Sequence, residues 1–151
     1  MHLLIPAAGM GKRMGSDRNK LLITLLGQPL LAWTLIAAES AKSISWIGMI
    51  GQPEDRADLD LLLSNISVSK TVQFIQGGAT RQESVYNGLQ GLPDSAERVL
   101  IHDGARCLAT PDLFDRCAAS LATCQGLIAA VSVKDTIKIV DNMGIVVYTP
   151  D

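Results

Sequence analysis

The sequence predicts an α/β protein with a doubly wound, mostly parallel sheet, and three observations lead there. Short apolar runs alternate with longer amphipathic ones four times along the chain, the signature of strand–helix units joined by crossovers. Hydrophobic residues make up 48 % of the chain, yet only six are aromatic, so the core is built from Leu, Ile, Val and Ala, as in parallel strands covered by helices on both faces. The length of 151 residues suits one domain with a real core and leaves no room for two.

Taken in order, Leu3–Pro6 reads as the first strand and runs into the loop Ala7–Arg13. A helix is expected from Pro29 to about Ala41, with Pro near the first turn where its missing N–H costs nothing. Residues 46–50 form the second predicted strand and 54–63 the second helix. The third strand, residues 71–75, is broken by Gly77-Gly78 and followed by a helix over residues 81–89. Residues 99–102 make a short strand, and Thr110 is the expected N-cap of a helix over residues 111–123. Leu127–Val133 reads as a further buried strand. Residues 136–140 and 145–148 then pair around Asp141-Asn142-Met143-Gly144 as a β-arm spanning residues 134–149, a common device for dimer contacts. No repeat, low-complexity stretch or linker divides residues 1–151.

Charge narrows the function. The net charge of −2 gives no global basic field for nucleic acid. Lys12, Arg13, Arg18 and Lys20 nevertheless crowd into nine residues, opposed by Asp17. One basic loop on an acidic chain suits a small phosphorylated ligand. Cys107, Cys117 and Cys124 are odd in number and lack a CxxC pair, as expected of a reduced, cytoplasmic protein. The longest apolar runs fall short of the roughly 18 residues that span a bilayer, so no membrane role is expected.

In open parallel sheets, ligands bind beyond the carboxyl ends of the strands. There the sequence gathers Ala7–Arg13, Gly77–Arg81, His102–Arg106 and Lys134-Asp135-Thr136. Ala7, Ala8, Gly9 and Gly11 carry almost no side chain, so backbone N–H groups of that loop can cradle phosphate. The spacing is neither a Walker A loop, since Arg13 follows Gly11-Lys12, nor a dinucleotide fingerprint, since Met14 stands at the third Gly. Arg13 and Lys20 are the cations expected to offset charge on a reacting phosphate. Asp103, directly after an apolar strand, is the expected carboxylate for Mg²⁺, with a turn cap as the plainer alternative. His102 has no Ser or Cys partner and reads as structural.

These residues resemble a known family. Pro6-Ala7-Ala8-Gly9-Met10-Gly11-Lys12-Arg13-Met14, with Lys20 seven residues after Arg13, is similar to the opening of the 2-C-methyl-D-erythritol 4-phosphate cytidylyltransferases. Gly77-Gly78 with Arg81 and Ser84, then His102-Asp103-Gly104-Ala105-Arg106 and Lys134-Asp135-Thr136, continue the match in order. The resemblance implies a Rossmann-like fold and transfer of CMP from CTP to a sugar-alcohol phosphate, with Mg²⁺ and release of pyrophosphate. It implies that Ala7, Ala8, Gly9, Met10, Gly11, Gly78, Arg81 and Ser84 hold the nucleotide. Arg13 and Lys20 would be catalytic, Asp103 would bind the metal, and Arg106 and Thr136 would meet the second substrate. It also implies a homodimer acting in isoprenoid precursor biosynthesis. Ribitol-5-phosphate cytidylyltransferases look similar across the same motifs. Family members continue beyond the position matching Asp151, so a CTP-binding module without turnover is a further expectation. Gly104 and Cys107 replace a usual Ala and Pro, which predicts a looser loop there.

Overall fold

The computed structural model describes residues 1–8 and 19–150. Four strands, β1 (His2–Pro6), β4 (Trp46–Gly51), β5 (Thr71–Gln76) and β6 (Val99–Ile101), form one parallel sheet in the order β5-β4-β1-β6. β1 lies between β4 and β6, with Leu3 opposite both Ile47 and Leu100. The chain therefore winds outward from β1 through β4 to β5, then crosses back to β6 on the other side. That reversal puts the crevice of the fold at the carboxyl ends of β1 and β6.

Period-two burial explains the helix placement. Leu3, Ile5 and Ala7 join Ile47 and Met49 in one cluster with Leu31 and Leu35 of α1 (Leu30–Ser40), Leu59 and Leu62 of α2 (Arg56–Asn65), and Phe114 of α4 (Pro111–Ser120). The alternate residues Leu4, Trp46, Ile50 and Ile75 form a second cluster with Leu92 and Val99. There α3 (Arg81–Gln90) comes so close that a Cβ on Gly88 would meet the Ile50 side chain at 2.5 Å. The sheet is thus covered on both faces. Each Leu or Ile removed from water contributes about 1.5–3 kcal/mol. Lys70 closes the C-terminus of α1, its Nζ donating to the carbonyls of Ala38, Glu39 and Ala41 at 2.7, 2.6 and 2.5 Å.

Up to α4 the expected elements are present with shifted ends. Pro29 is the N-cap of α1 rather than part of its first turn, and α2 follows a single 3₁₀ turn, Pro53–Asp55. Thr110 caps α4 as expected, its hydroxyl accepting from the Leu113 N–H. One element is new: β2 (Thr24–Leu25) and β3 (Gln28–Pro29) pair antiparallel around Leu26 and Gly27, whose φ values of 51° and 80° are those of a tight hairpin turn. The arm is a hairpin of β7 (Ile139–Val140) and β8 (Val146–Tyr148), its turn held by the Asp141 carboxylate accepting from the Met143 and Ile145 N–H groups.

The expectation of a buried strand at Leu127–Val133 is overturned. The segment joins no strand, with Ile128 88 % and Val131 91 % exposed. An apolar run reports what a segment gains on burial; it does not supply the neighbour that buries it.

Candidate functional site

The ladder runs on past the strand ends and fixes where the rim loops begin. Ala7 N–H donates to the Ile50 carbonyl at 2.6 Å, Gly77 N–H to Gly51 at 2.8 Å, and His102 N–H to Leu4 at 2.9 Å. Ala7-Ala8, Gly51-Gln52, Gly77-Gly78 and His102-Asp103 therefore leave the sheet side by side. The sequence expectation of convergence on one edge holds for the loops after β1, β5 and β6, whereas Lys134-Asp135-Thr136 follows no strand of this sheet.

The loop after β5 is tied down on every side. A Cβ on Gly77 would lie 2.8 Å from the Ala8 Cβ and 3.2 Å from Ser84 Oγ, and one on Gly78 would strike the Glu83 side chain. At Gly77 the space for a Cβ is taken by Ala8, whereas at Gly78 the Glu83 side chain would have to move aside. Ser84, 3 % exposed, accepts from the Gly78 N–H at 3.0 Å. Gln52 Nε2 donates to the Gly78 carbonyl at 3.1 Å. Thr80 caps α3 by accepting from the Glu83 N–H, while the Glu83 carboxylate accepts from the Ala79 N–H at 2.8 Å. Thr80-x-x-Glu83 is a capping-box spacing, so Glu83 could have been read from the sequence; Gln52 carried no such signal.

The loop after β6 is held by charge at its surface and by packing beneath. Asp103 bridges Arg81 Nη2 at 2.8 Å and Arg106 Nε at 3.3 Å. The Arg81 guanidinium above all, then Arg106, holds the Asp103 carboxyl below the usual carboxylate range despite partial burial. Both arginines are exposed, so the pairs add little stability; their effect is to keep an ionised carboxylate at the rim. Underneath, Thr34 Oγ1 donates to the Gly104 carbonyl at 3.0 Å. A Cβ on Gly104 would meet Leu21 Cδ1 at 2.9 Å and Ile5 Cγ2 at 3.1 Å. Gly104 therefore lets the loop seat closely on the core. His102 is structural, as expected: its ring meets Phe114 edge-on at 5.0 Å. Its Nε2 lies 3.2 Å from the Arg106 carbonyl, which can only accept, so the ring is the donor. Burial pushes the pKa of this imidazole down.

Lys20 opens the 3₁₀ turn Lys20–Leu22, half-buried, and the next residue, Leu21, is the one that packs on Gly104. Ala7, Ala8, Gly78, Arg81 and Ser84, expected to hold the nucleotide, share the rim with Asp103 and Arg106. Gly9, Met10, Gly11 and Arg13 lie outside the described residues. Thr136 lies on the exposed stretch ahead of β7. The sequence reading missed Asn19 and Asp55, which join the turn to the rim: Asn19 Nδ2 donates to the Ala7 carbonyl at 2.7 Å and to Asp55 Oδ2 at 2.8 Å.

Comparison with known proteins places this arrangement. The family model for 2-C-methyl-D-erythritol 4-phosphate cytidylyltransferase matches residues 1–151. The protein of that name from Microcystis aeruginosa is 70 % identical over the whole chain, which covers 67 % of it. The one from Nostoc punctiforme is 65 % identical, with 66 % covered. Among solved structures, 4-diphosphocytidyl-2C-methyl-D-erythritol synthase from Anaerococcus prevotii superposes with a TM-score of 0.86 at 30 % identity, covering 99 % of this chain and 64 % of that one. The Thermus thermophilus cytidylyltransferase gives 0.69 at 26 %, covering 99 % and 62 %. The chain spans about two thirds of the length of these curated relatives.

Proposed function

The chain belongs to the 2-C-methyl-D-erythritol 4-phosphate cytidylyltransferase family, and from that premise we propose that it moves CMP from CTP onto 2-C-methyl-D-erythritol 4-phosphate and releases pyrophosphate. The observation that carries the reading is the rim itself. The segments Ala7-Ala8 and Gly77-Gly78 and a carboxylate flanked by two arginines share the rim beside the point where the strand order reverses. The turn carrying Lys20 is joined to it through Asn19 and Leu21.

Backbone groups of the Ala7-Ala8 and Gly77-Gly78 loops hold the nucleotide, and Ser84 keeps the second loop in shape. Lys20, with Arg13, offsets the charge that builds on the α-phosphate while the phosphate of the second substrate attacks in line. No covalent enzyme intermediate is needed, so positioning and electrostatics carry the rate. Arg106 and Thr136 face the second substrate in this reading. Asp103 fits Mg²⁺: it is ionised, partly solvent-facing and at the rim, and Mg²⁺ takes one or two carboxylates with phosphates and water. Bound there, the ion would neutralise phosphate charge. The exposed β7–β8 hairpin is the contact surface of a homodimer. Three free cysteines accord with a reducing cytoplasm, and among the described residues no helix is long and apolar enough to cross a membrane.

³¹P NMR of the protein with CTP, Mg²⁺ and methylerythritol phosphate tests the proposal, with ribitol 5-phosphate in a parallel sample. Pyrophosphate and a new diphosphate in the first sample alone are expected. Product in the ribitol sample alone would reassign the substrate, and CTP binding without product in either would reduce the chain to a nucleotide-binding module.

A further inference from the structure

The geometry points to Asn19 as a positioning residue for Lys20, an inference that rests on the cytidylyltransferase reading above. Asn19 is 5 % exposed and both polar atoms of its side chain are engaged. Its amide nitrogen donates to the Ala7 carbonyl at 2.7 Å and to the Asp55 carboxylate at 2.8 Å, and its oxygen accepts from the Leu21 N–H at 3.1 Å. The orientation is dictated by chemistry. A carbonyl and a carboxylate both demand a donor, the Leu21 N–H demands an acceptor, and only a primary amide offers two donors and an acceptor at one centre.

The three partners come from three places. Ala7 belongs to the loop leaving β1, Asp55 to the 3₁₀ turn after β4, and Leu21 to the turn that begins with Lys20. Asn19 also accepts through its own carbonyl from the Leu22 N–H at 3.0 Å. Lys20 is therefore clamped by its neighbour on one side and, on the other, by Leu21 packed against Gly104 of the Asp103 loop. A long flexible side chain can aim at a phosphate only if its Cα is fixed. This clamp refers the Lys20 backbone to both walls of the crevice at once.

The test is a mutational cycle on the intact chain. Asn19→Asp is nearly isosteric and keeps the acceptor for Leu21, but it cannot donate and sets a second carboxylate against Asp55. Its kcat is expected to fall about tenfold to a hundredfold, the cost of a misplaced reacting group, with KM for CTP changed much less. Combining Asn19→Asp with Asp55→Asn places an amide at position 55 that can donate back, and should recover part of kcat. In a Lys20→Ala background, Asn19→Asp should cost nothing further, because it acts through the missing side chain. An undiminished kcat in folded Asn19→Asp, or a full additional loss in the Lys20→Ala background, would overturn the role. If the wild-type protein releases no pyrophosphate, the functional reading fails instead. Amide exchange at Leu21 and Leu22 in Asn19→Ala then decides: at least tenfold lost protection supports the clamp, and unchanged protection removes it.

Discussion

Residues 3–5 and residues 128–131 are both apolar, and they end in opposite environments. Leu3, Leu4 and Ile5 are fully buried, whereas every residue from Ile128 to Tyr148 is exposed. The difference is one of partners. β1 has β4 on one edge, β6 on the other, α1 packed on one face and α3 on the other, while the later segment has none of these. Hydropathy sets the free energy available on burial; a neighbour decides whether it is realised. Catalytic and structural sensitivity should both concentrate in the first region.

The largest effect is expected at the rim of that region. Lys20→Ala should lower turnover by about a thousandfold (~4 kcal/mol) with an unchanged unfolding curve; turnover kept within a few-fold would remove Lys20 from the reaction. Next, Ile47→Ala at the sheet centre should cost about 3 kcal/mol in urea unfolding. A loss below about 1 kcal/mol would mean that the site collapses around the deletion.

Asp103→Asn should raise the Mg²⁺ concentration for half-maximal activity about tenfold (~1.4 kcal/mol), and an unmoved titration would leave Asp103 as a turn residue. A smaller signal comes from His102, whose pKa is lowered by burial. Its folded pKa lies below the unfolded reference value of 6.5, so the unfolded chain takes the proton first. Stability should then decline as pH falls below that value and level off under the folded pKa. Urea midpoints from about pH 8 to about pH 5 should show the decline in wild type and less of it in His102→Gln; parallel profiles would contradict it. The smallest effect is expected in the second region: Val131→Ser should shift stability by less than about 0.5 kcal/mol, and a larger loss would reveal a packing partner and break the comparison.

Much of the site was legible because small and charged residues stand at strand ends for local reasons. Gly77-Gly78, Asp103 and Arg106 could be placed at one edge from the alternation of runs, whereas Ser84 came only with the family resemblance; the structure brings all of them there. Glu83 was legible in principle from its capping-box spacing. Asn19 and Asp55 were not, since an Asn before a Lys and an Asp behind a Pro read as ordinary turn residues until their 36-residue separation closes to a hydrogen bond. The packing at Gly104 was hidden for the same reason: a glycine signals freedom or close approach, and its neighbours Leu21, Ile5 and Leu31 show the close approach.

The sequence by itself determined the parallel sheet, its helices and the edge that carries the chemistry, because periodicity and loop composition are local properties. Only the tertiary structure decided that Asn19 joins three segments, that Gly104 seats a loop, and that residues 127–133 stay unpaired. Each of those depends on which distant atoms arrive within a few ångströms, and no run of neighbouring residues encodes that.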